Sequence, residues 1–142
     1  MMVTRRYRFS AAHRLHSPAL DEEANRAAYG KCNNPFGHGH NYVLEVTLAG
    51  PVNECTGRVV DPERLDELVH GAVLAGWSHR NLNAEDSELA DCPPSSENLL
   101  GSAWRRLERA VREAFPAGPR LVRLRLEETR RNSFEMMEED ER

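Results

Sequence analysis

The sequence contains no apolar run approaching the roughly 20 residues a membrane span requires, and its N-terminal stretch carries Arg5, Arg6 and Arg8 where a secretory leader would be hydrophobic. A cytoplasmic protein with no membrane partner is therefore expected. Three cysteines, Cys32, Cys55 and Cys92, are odd in number and irregularly spaced, which argues against a disulfide framework and fits a reducing compartment. There is no excess of positive charge: the net charge is −4, so electrostatics gives no support to a nucleic-acid partner. Lys31 is the only lysine among 19 basic residues, a skew that carries no functional weight. No internal repeat and no linker divides the chain. Its 142 residues, 39% hydrophobic and 30% charged, suit a single domain spanning 1–142, in which a large site may have to be shared between copies.

Two-residue alternation from Val3 to His13, broken at Arg5, predicts a strand that brings His13 to its apolar face. The stretch from Arg14 to Gly39 has no sustained period and contains Pro18, Gly30, Pro35 and Gly37, so a long structured loop is expected there. Tyr42, Leu44, Val46 and Leu48 share one face of a second strand, and a short strand is expected over Arg58 to Asp61. A helix begins at Pro62, with Leu65, Leu68, Val69, Ala72 and Val73 on one stripe, and Gly76 is expected to end it. A longer helix begins near Ser95 or Ser96 and carries Leu100, Ala103, Trp104, Leu107 and Val111. Val122, Leu124 and Leu126 then alternate with charged residues, placing Glu128 at the end of an apolar row, before a last strand near Asn132 to Met137 and an acidic tail expected to fray. This order predicts an α+β fold, with a four-stranded antiparallel sheet and two helices packed on one face. The exposed edges of such a sheet make a closed oligomer plausible.

The densest chemistry lies in GKCNNPFGHGHNY, from Gly30 to Tyr42. His38 and His40 are two apart, so on an extended strand both imidazoles project to the same side. If the two strands pair, His13 can complete a three-histidine set, the donor pattern of a zinc ion that keeps one position open for chemistry. The same pair also fits a loop that binds no metal. Cys32, close to these histidines, can supply a thiolate as base or nucleophile. His79, in WSHRNL, is the candidate to polarise it, whereas His16 and His70 suit packing or solvent. Glu128 can accept two parallel hydrogen bonds from a planar donor pair, or can simply be an edge charge.

These segments carry a resemblance. RFSAAHRLHSP followed by GKCNNPFGHGHNY, with SSEN and EET further on, resembles the 6-pyruvoyltetrahydropterin synthase family from about Phe9 to Thr129. The resemblance implies the tunnelling fold (T-fold), in which trimers stack into a hexamer with active sites between subunits. It implies one zinc per subunit on His13, His38 and His40, a catalytic Cys32 with His79, and pterin contacts from Glu128, Ser95, Ser96 and Glu97. The implied reaction is a lyase step of tetrahydrobiopterin biosynthesis, 7,8-dihydroneopterin triphosphate to 6-pyruvoyltetrahydropterin with loss of triphosphate. One position departs from the pattern: Ser78 stands where the family has an aspartate that steadies the histidine, and Asp86 or Asp91 are candidates to take over that role. Two alternatives follow. One is 6-carboxytetrahydropterin synthase of queuosine biosynthesis, acting on the same substrate with release of acetaldehyde. The five residues between Cys32 and His38 favour the pyruvoyl-forming type, since the carboxy-forming type usually has a shorter interval. The other is a non-catalytic pterin- or zinc-binding relative, against which the retention of Cys32 and His79 argues.

Overall fold

The computed structural model describes residues 1–141, with side chains through residue 139. Two long strands, β1 (Met2–His13) and β2 (His38–Ala49), pair antiparallel along their whole length, from Met2 opposite Ala49 to His13 opposite His38. Between them lies α1 (Glu22–Tyr29), capped by the Asp21 carboxylate and followed by a 3₁₀ turn over Gly30–Asn33. The expected irregular loop therefore contains a helix. It has no apolar stripe to announce it, and its one buried residue is polar: the Asn25 side chain bonds the backbones of Ser17, Leu20 and Asp21.

The predicted strand at Arg58 to Asp61 does not form. Asp61 instead caps α2 (Pro62–Val69), which has Pro62 in its first turn and continues through a π turn (His70–Leu74) into α3 (Ala75–Trp77). The helical run thus ends one residue past Gly76. A two-residue strand, β3 (Arg80–Asn81), pairs parallel with Ala11 and Ala12, and α4 (Leu82–Glu85) follows it. The long helix α5 (Ser96–Ala114) is capped by Ser95, whose Oγ accepts from the Asn98 N–H at 3.3 Å. β4 (Arg120–Glu127) and β5 (Ser133–Met137) complete a sheet of five strands in the order β3-β1-β2-β4-β5, one more than predicted. The start of the acidic tail forms a 3₁₀ turn over Glu138–Glu141, and the tail's last residue lies outside the described ones.

The helices cover one face of the sheet. Phe9, Leu44, Val46, Leu124 and Leu126 meet Leu65, Val69, Trp77, Leu99, Trp104 and Leu107, all 4% exposed or less. This core follows from the two periodicities, alternate residues along the strands and three- to four-residue spacing along the helices. Arg5, the break in the β1 alternation, reaches Asp66 of α2 with two hydrogen bonds of 2.7 Å, and Tyr7 donates to the same carboxylate at 2.8 Å. The charge on the helix-covered face is thereby paired at the edge of the core.

Candidate metal centre

At one end of the sheet, the apolar faces of β1 and β2 finish in histidines. Pairing of His13 with His38, together with the alternation that puts His38 and His40 on one side, brings three imidazoles together with ring centroids 4.5 to 5.0 Å apart. Glu128, immediately beyond β4, joins them. One potential ligand atom from each of His13, His38, His40 and Glu128 lies within 4.8 Å of all the others. Gly37 makes this approach possible. Its φ is +73°, and a Cβ built there would stand 3.1 Å from the His13 carbonyl oxygen.

The hydrogen bonds around the cluster orient the rings. His13, 1% exposed, has Nδ1 2.7 Å from the Pro94 carbonyl oxygen. A carbonyl only accepts, so Nδ1 carries the proton and the Nε2 lone pair faces the cluster, 2.9 Å from His38 Nε2. The Tyr42 ring stacks on Phe9 at 4.9 Å and borders the His13 and His40 rings. Burial, reinforced by the neighbouring imidazoles, lowers the His13 pKa despite the Pro94 bond, and burial likewise lowers that of His38. Both rings are therefore held neutral, the ligating form.

Two buried nitrogens, His38 Nδ1 and His40 Nε2, lack hydrogen-bond partners. His40 Nε2 is 3.0 Å from Glu128 Oε1, but the two are out of line for a hydrogen bond. Converging imidazoles with unsatisfied nitrogens and an adjoining carboxylate fit a divalent metal, and nitrogen and oxygen donors in this number suit zinc.

The remaining predicted residues are distributed around this centre. Ser96 is buried, and its hydroxyl donates to Glu128 Oε2 at 2.6 Å, fixing the carboxylate. Ser95 is the helix cap, and Glu97 is exposed in the first turn of α5. Cys32, half-buried in the 3₁₀ turn, is held by its carbonyl to the Leu15 N–H at 2.8 Å. It is close enough that, after burial and Glu128, it raises the Tyr42 phenol pKa.

His79 is exposed, with φ +60°, and its N–H donates to the Ser10 carbonyl at 2.6 Å. It lines an open recess of about 430 Å³ with Ser10, His40, Asn41 and Arg80. Strand alternation places Ser10 and Asn41 on the sheet face opposite His13 and His40. Among the described residues no hydrogen bond joins Cys32 to His79.

Asp86 does not replace the missing aspartate. It is buried against the Trp77 Nε1–H at 2.5 Å and the Arg106 guanidinium at 2.9 and 3.0 Å, leaving it committed to the core. Asp91 is exposed.

Three supporting groups were not visible in the sequence. Pro94 acts through its carbonyl and Asn83 through a side chain that bonds both the N–H and C=O of Arg14, at 2.7 and 2.9 Å, extending β1 past His13. Neither role has a sequence signature. The third, Glu128 as a neighbour of the metal cluster, follows only from the packing of β4 beside β2.

The family profile described as 6-pyruvoyl tetrahydropterin synthase matches residues 2–139. The chain belongs to the 6-pyruvoyl tetrahydropterin synthase family. It is 38% identical over 130 residues to the 6-pyruvoyl tetrahydrobiopterin synthase of Poecilia reticulata, covering 92% of this chain and 85% of that one. The structure of the Caenorhabditis elegans 6-pyruvoyl tetrahydropterin synthase is similar with a TM-score of 0.88 and 36% identity, covering 96% of this chain and 94% of that one. A more distant relative from Halobacterium salinarum, 30% identical over 86% of this chain and 77% of its own, carries the name probable 6-carboxy-5,6,7,8-tetrahydropterin synthase. The family consists of lyase-type enzymes, and the α+β architecture here is its T-fold subunit, with five strands.

Proposed function

We propose that this protein, acting as one pterin-synthase unit over 1–142, is a zinc-dependent enzyme that converts 7,8-dihydroneopterin triphosphate to 6-pyruvoyltetrahydropterin with elimination of triphosphate. The observation that carries the proposal is the convergence of His13, His38, His40 and Glu128 within 4.8 Å in a member of this family. The three histidines would hold zinc, and zinc supplies Lewis acidity toward the oxygens of the pterin side chain. Glu128, steadied by Ser96, presents an oriented carboxylate for the amino-pyrimidinone edge of the pterin. Cys32 and His79 are the proton-transfer pair.

No hydrogen bond joins Cys32 to His79 among the described residues, and on this reading the pair is completed between copies of the protein. This supports a closed homo-oligomer, a hexamer of two trimers, in which each site draws on neighbouring subunits. Ser78 can orient the His79 imidazole but gives it no counter-charge, so turnover is slowed and not abolished. A cytoplasmic location accords with this chemistry.

The test is subunit mixing. Cys32→Ala and His79→Ala proteins, each inactive alone, recover a fraction of the activity when dissociated and reassembled together. No recovery in a mixed oligomer sinks the shared-site reading, and full activity of Cys32→Ala sinks the catalytic one. The Halobacterium relative keeps a second reading in view: the same site yielding 6-carboxytetrahydropterin and acetaldehyde.

A further inference from the structure

Glu128 opens the hairpin between β4 and β5 with its backbone fixed, its N–H donating to the Asn132 carbonyl at 3.1 Å. Its carboxylate faces two neighbours of different kinds. Oε2 accepts from the buried Ser96 hydroxyl at 2.6 Å, and Oε1 stands 3.0 Å from His40 Nε2 with no hydrogen bond between them. The side chains of His40 and Glu128 are only 16% and 14% exposed, so solvent screens the contact weakly. With no hydrogen bond to account for it, so close an approach of an imidazole nitrogen and a carboxylate oxygen is what a cation bound by both produces.

Distance separates a ligand from a bystander. Zinc holds nitrogen and oxygen donors at roughly 2.0 to 2.2 Å, so four donors spread evenly around it stand about 3.3 to 3.6 Å from one another. Here His13 Nε2 is 2.9 Å from His38 Nε2, and His40 Nε2 is 3.0 Å from Glu128 Oε1. Glu128 is thus as close to the histidines as they are to one another, and one donor atom of each of the four lies within 4.8 Å of all the others. A carboxylate placed only to receive a pterin would keep both oxygens for the planar donor pair. In this protein Ser96 occupies one oxygen and the other is turned to the cluster.

We infer that Glu128 has two partners in turn. With no pterin bound, its Oε1 is a fourth donor to the ion held by His13, His38 and His40, which gives the closed, four-ligand arrangement of an unreactive centre. The amino-pyrimidinone edge of a pterin draws the carboxylate off and leaves that position free, so the centre opens only to a ligand that offers this edge. This dual role rests on the zinc and pterin reading of the site, and it adds a donor that the three-histidine set lacks.

The experiment measures zinc affinity by chelator competition in the unmodified protein and in Glu128→Gln, each with and without unsubstituted pterin, which has the edge but no side-chain oxygens. Glutamine removes the charge and still offers the Ser96 hydroxyl an acceptor, so the variant folds. Without pterin, Glu128→Gln is expected to weaken zinc about tenfold or more. In the unmodified protein, pterin at concentrations that saturate the metal-free form is expected to weaken zinc about tenfold, and zinc to weaken pterin by the same factor. The cobalt-loaded protein supplies a second readout, because pterin and Glu128→Gln should alter its visible absorption in the same way. Loss of a nearby negative charge would weaken the metal without changing that spectrum, so an unchanged spectrum overturns the inference. Zinc affinity within twofold in Glu128→Gln, or unmoved by bound pterin, overturns it as well. If the unmodified protein then still binds zinc and turns substrate over, the proposed function survives. Failure of the unmodified protein to bind zinc overturns both.

Discussion

The Nδ1–H of His13 donates to the carbonyl of Pro94 at 2.7 Å, so the ring at the end of β1 is held by the segment just before α5. This one bond fixes the tautomer, aims Nε2 at His38 and His40, and ties the metal cluster to the loop that also carries Ser95 and Ser96. Because the outer contact is to backbone, it survives side-chain replacement of its neighbours. On the proposed zinc reading, affinity for the ion depends on the three histidines. His38→Ala is expected to lower that affinity by more than the ten- to hundredfold that an outer-shell partner contributes, read by chelator competition. Affinity unchanged would mean that the cluster does not hold the ion.

Gly37 separates His38 and His40 from the preceding turn, with φ +73° and 3.1 Å of clearance for a Cβ against the His13 carbonyl. Gly37→Ala should therefore push His38 away from His13 and reduce zinc affinity, at a stability cost of about 1 to 3 kcal/mol. Gly57 has a similar φ but nothing within 4 Å, so Gly57→Ala carries the backbone strain with no effect on zinc. Equal zinc affinity in the two variants would contradict the argument.

Asp86 shows how the loop bearing His79 is anchored. Burial raises its pKa, but the Trp77 N–H and the Arg106 guanidinium outweigh burial and hold the carboxyl below its ordinary value. The folded pKa is thus lower than the unfolded one. The stabilisation is present above the unfolded value, about pH 3.9, and is lost as pH falls through the folded value. Asp86→Asn is expected to cost about 3 kcal/mol near neutral pH, with the two urea-unfolding curves converging in strong acid. A constant gap between them at every pH would contradict an ionic role.

His79 occupies the left-handed region at φ +60°, which costs a non-glycine residue free energy that its surroundings must offset. His79→Gly is expected to leave stability unchanged or raise it by up to about 1 kcal/mol while removing turnover. That is the signature of a residue kept for its imidazole. A separate substitution, Ser78→Asp, should raise the rate by giving the imidazolium a counter-charge; a rate that stays level or falls would show that serine is the better partner here.

Much of this was legible in the sequence, for physical reasons that differ by element. The alternation from Tyr7 to His13 and from Tyr42 to Leu48 is a direct consequence of one buried sheet face, so period alone places His13, His38 and His40 on that face, while their convergence depends on the pairing of β1 with β2. Helix α5 was visible through its cap and stripe. Helix α1 was not, because its eight residues bury an asparagine instead of an apolar face. The stretch Arg58 to Asp61 reads as a strand by composition, yet among the described residues no strand pairs with it and Asp61 is used as a cap. β3 is two residues held to β1 by tertiary placement, which no local pattern encodes.

The most direct test is to incubate zinc-loaded protein with 7,8-dihydroneopterin triphosphate, identify the pterin product and any acetaldehyde by mass spectrometry, and repeat with Cys32→Ala. The account predicts 6-pyruvoyltetrahydropterin with free triphosphate, lost in the variant. A 6-carboxy product accompanied by acetaldehyde, or no turnover in the unmodified protein, would contradict it.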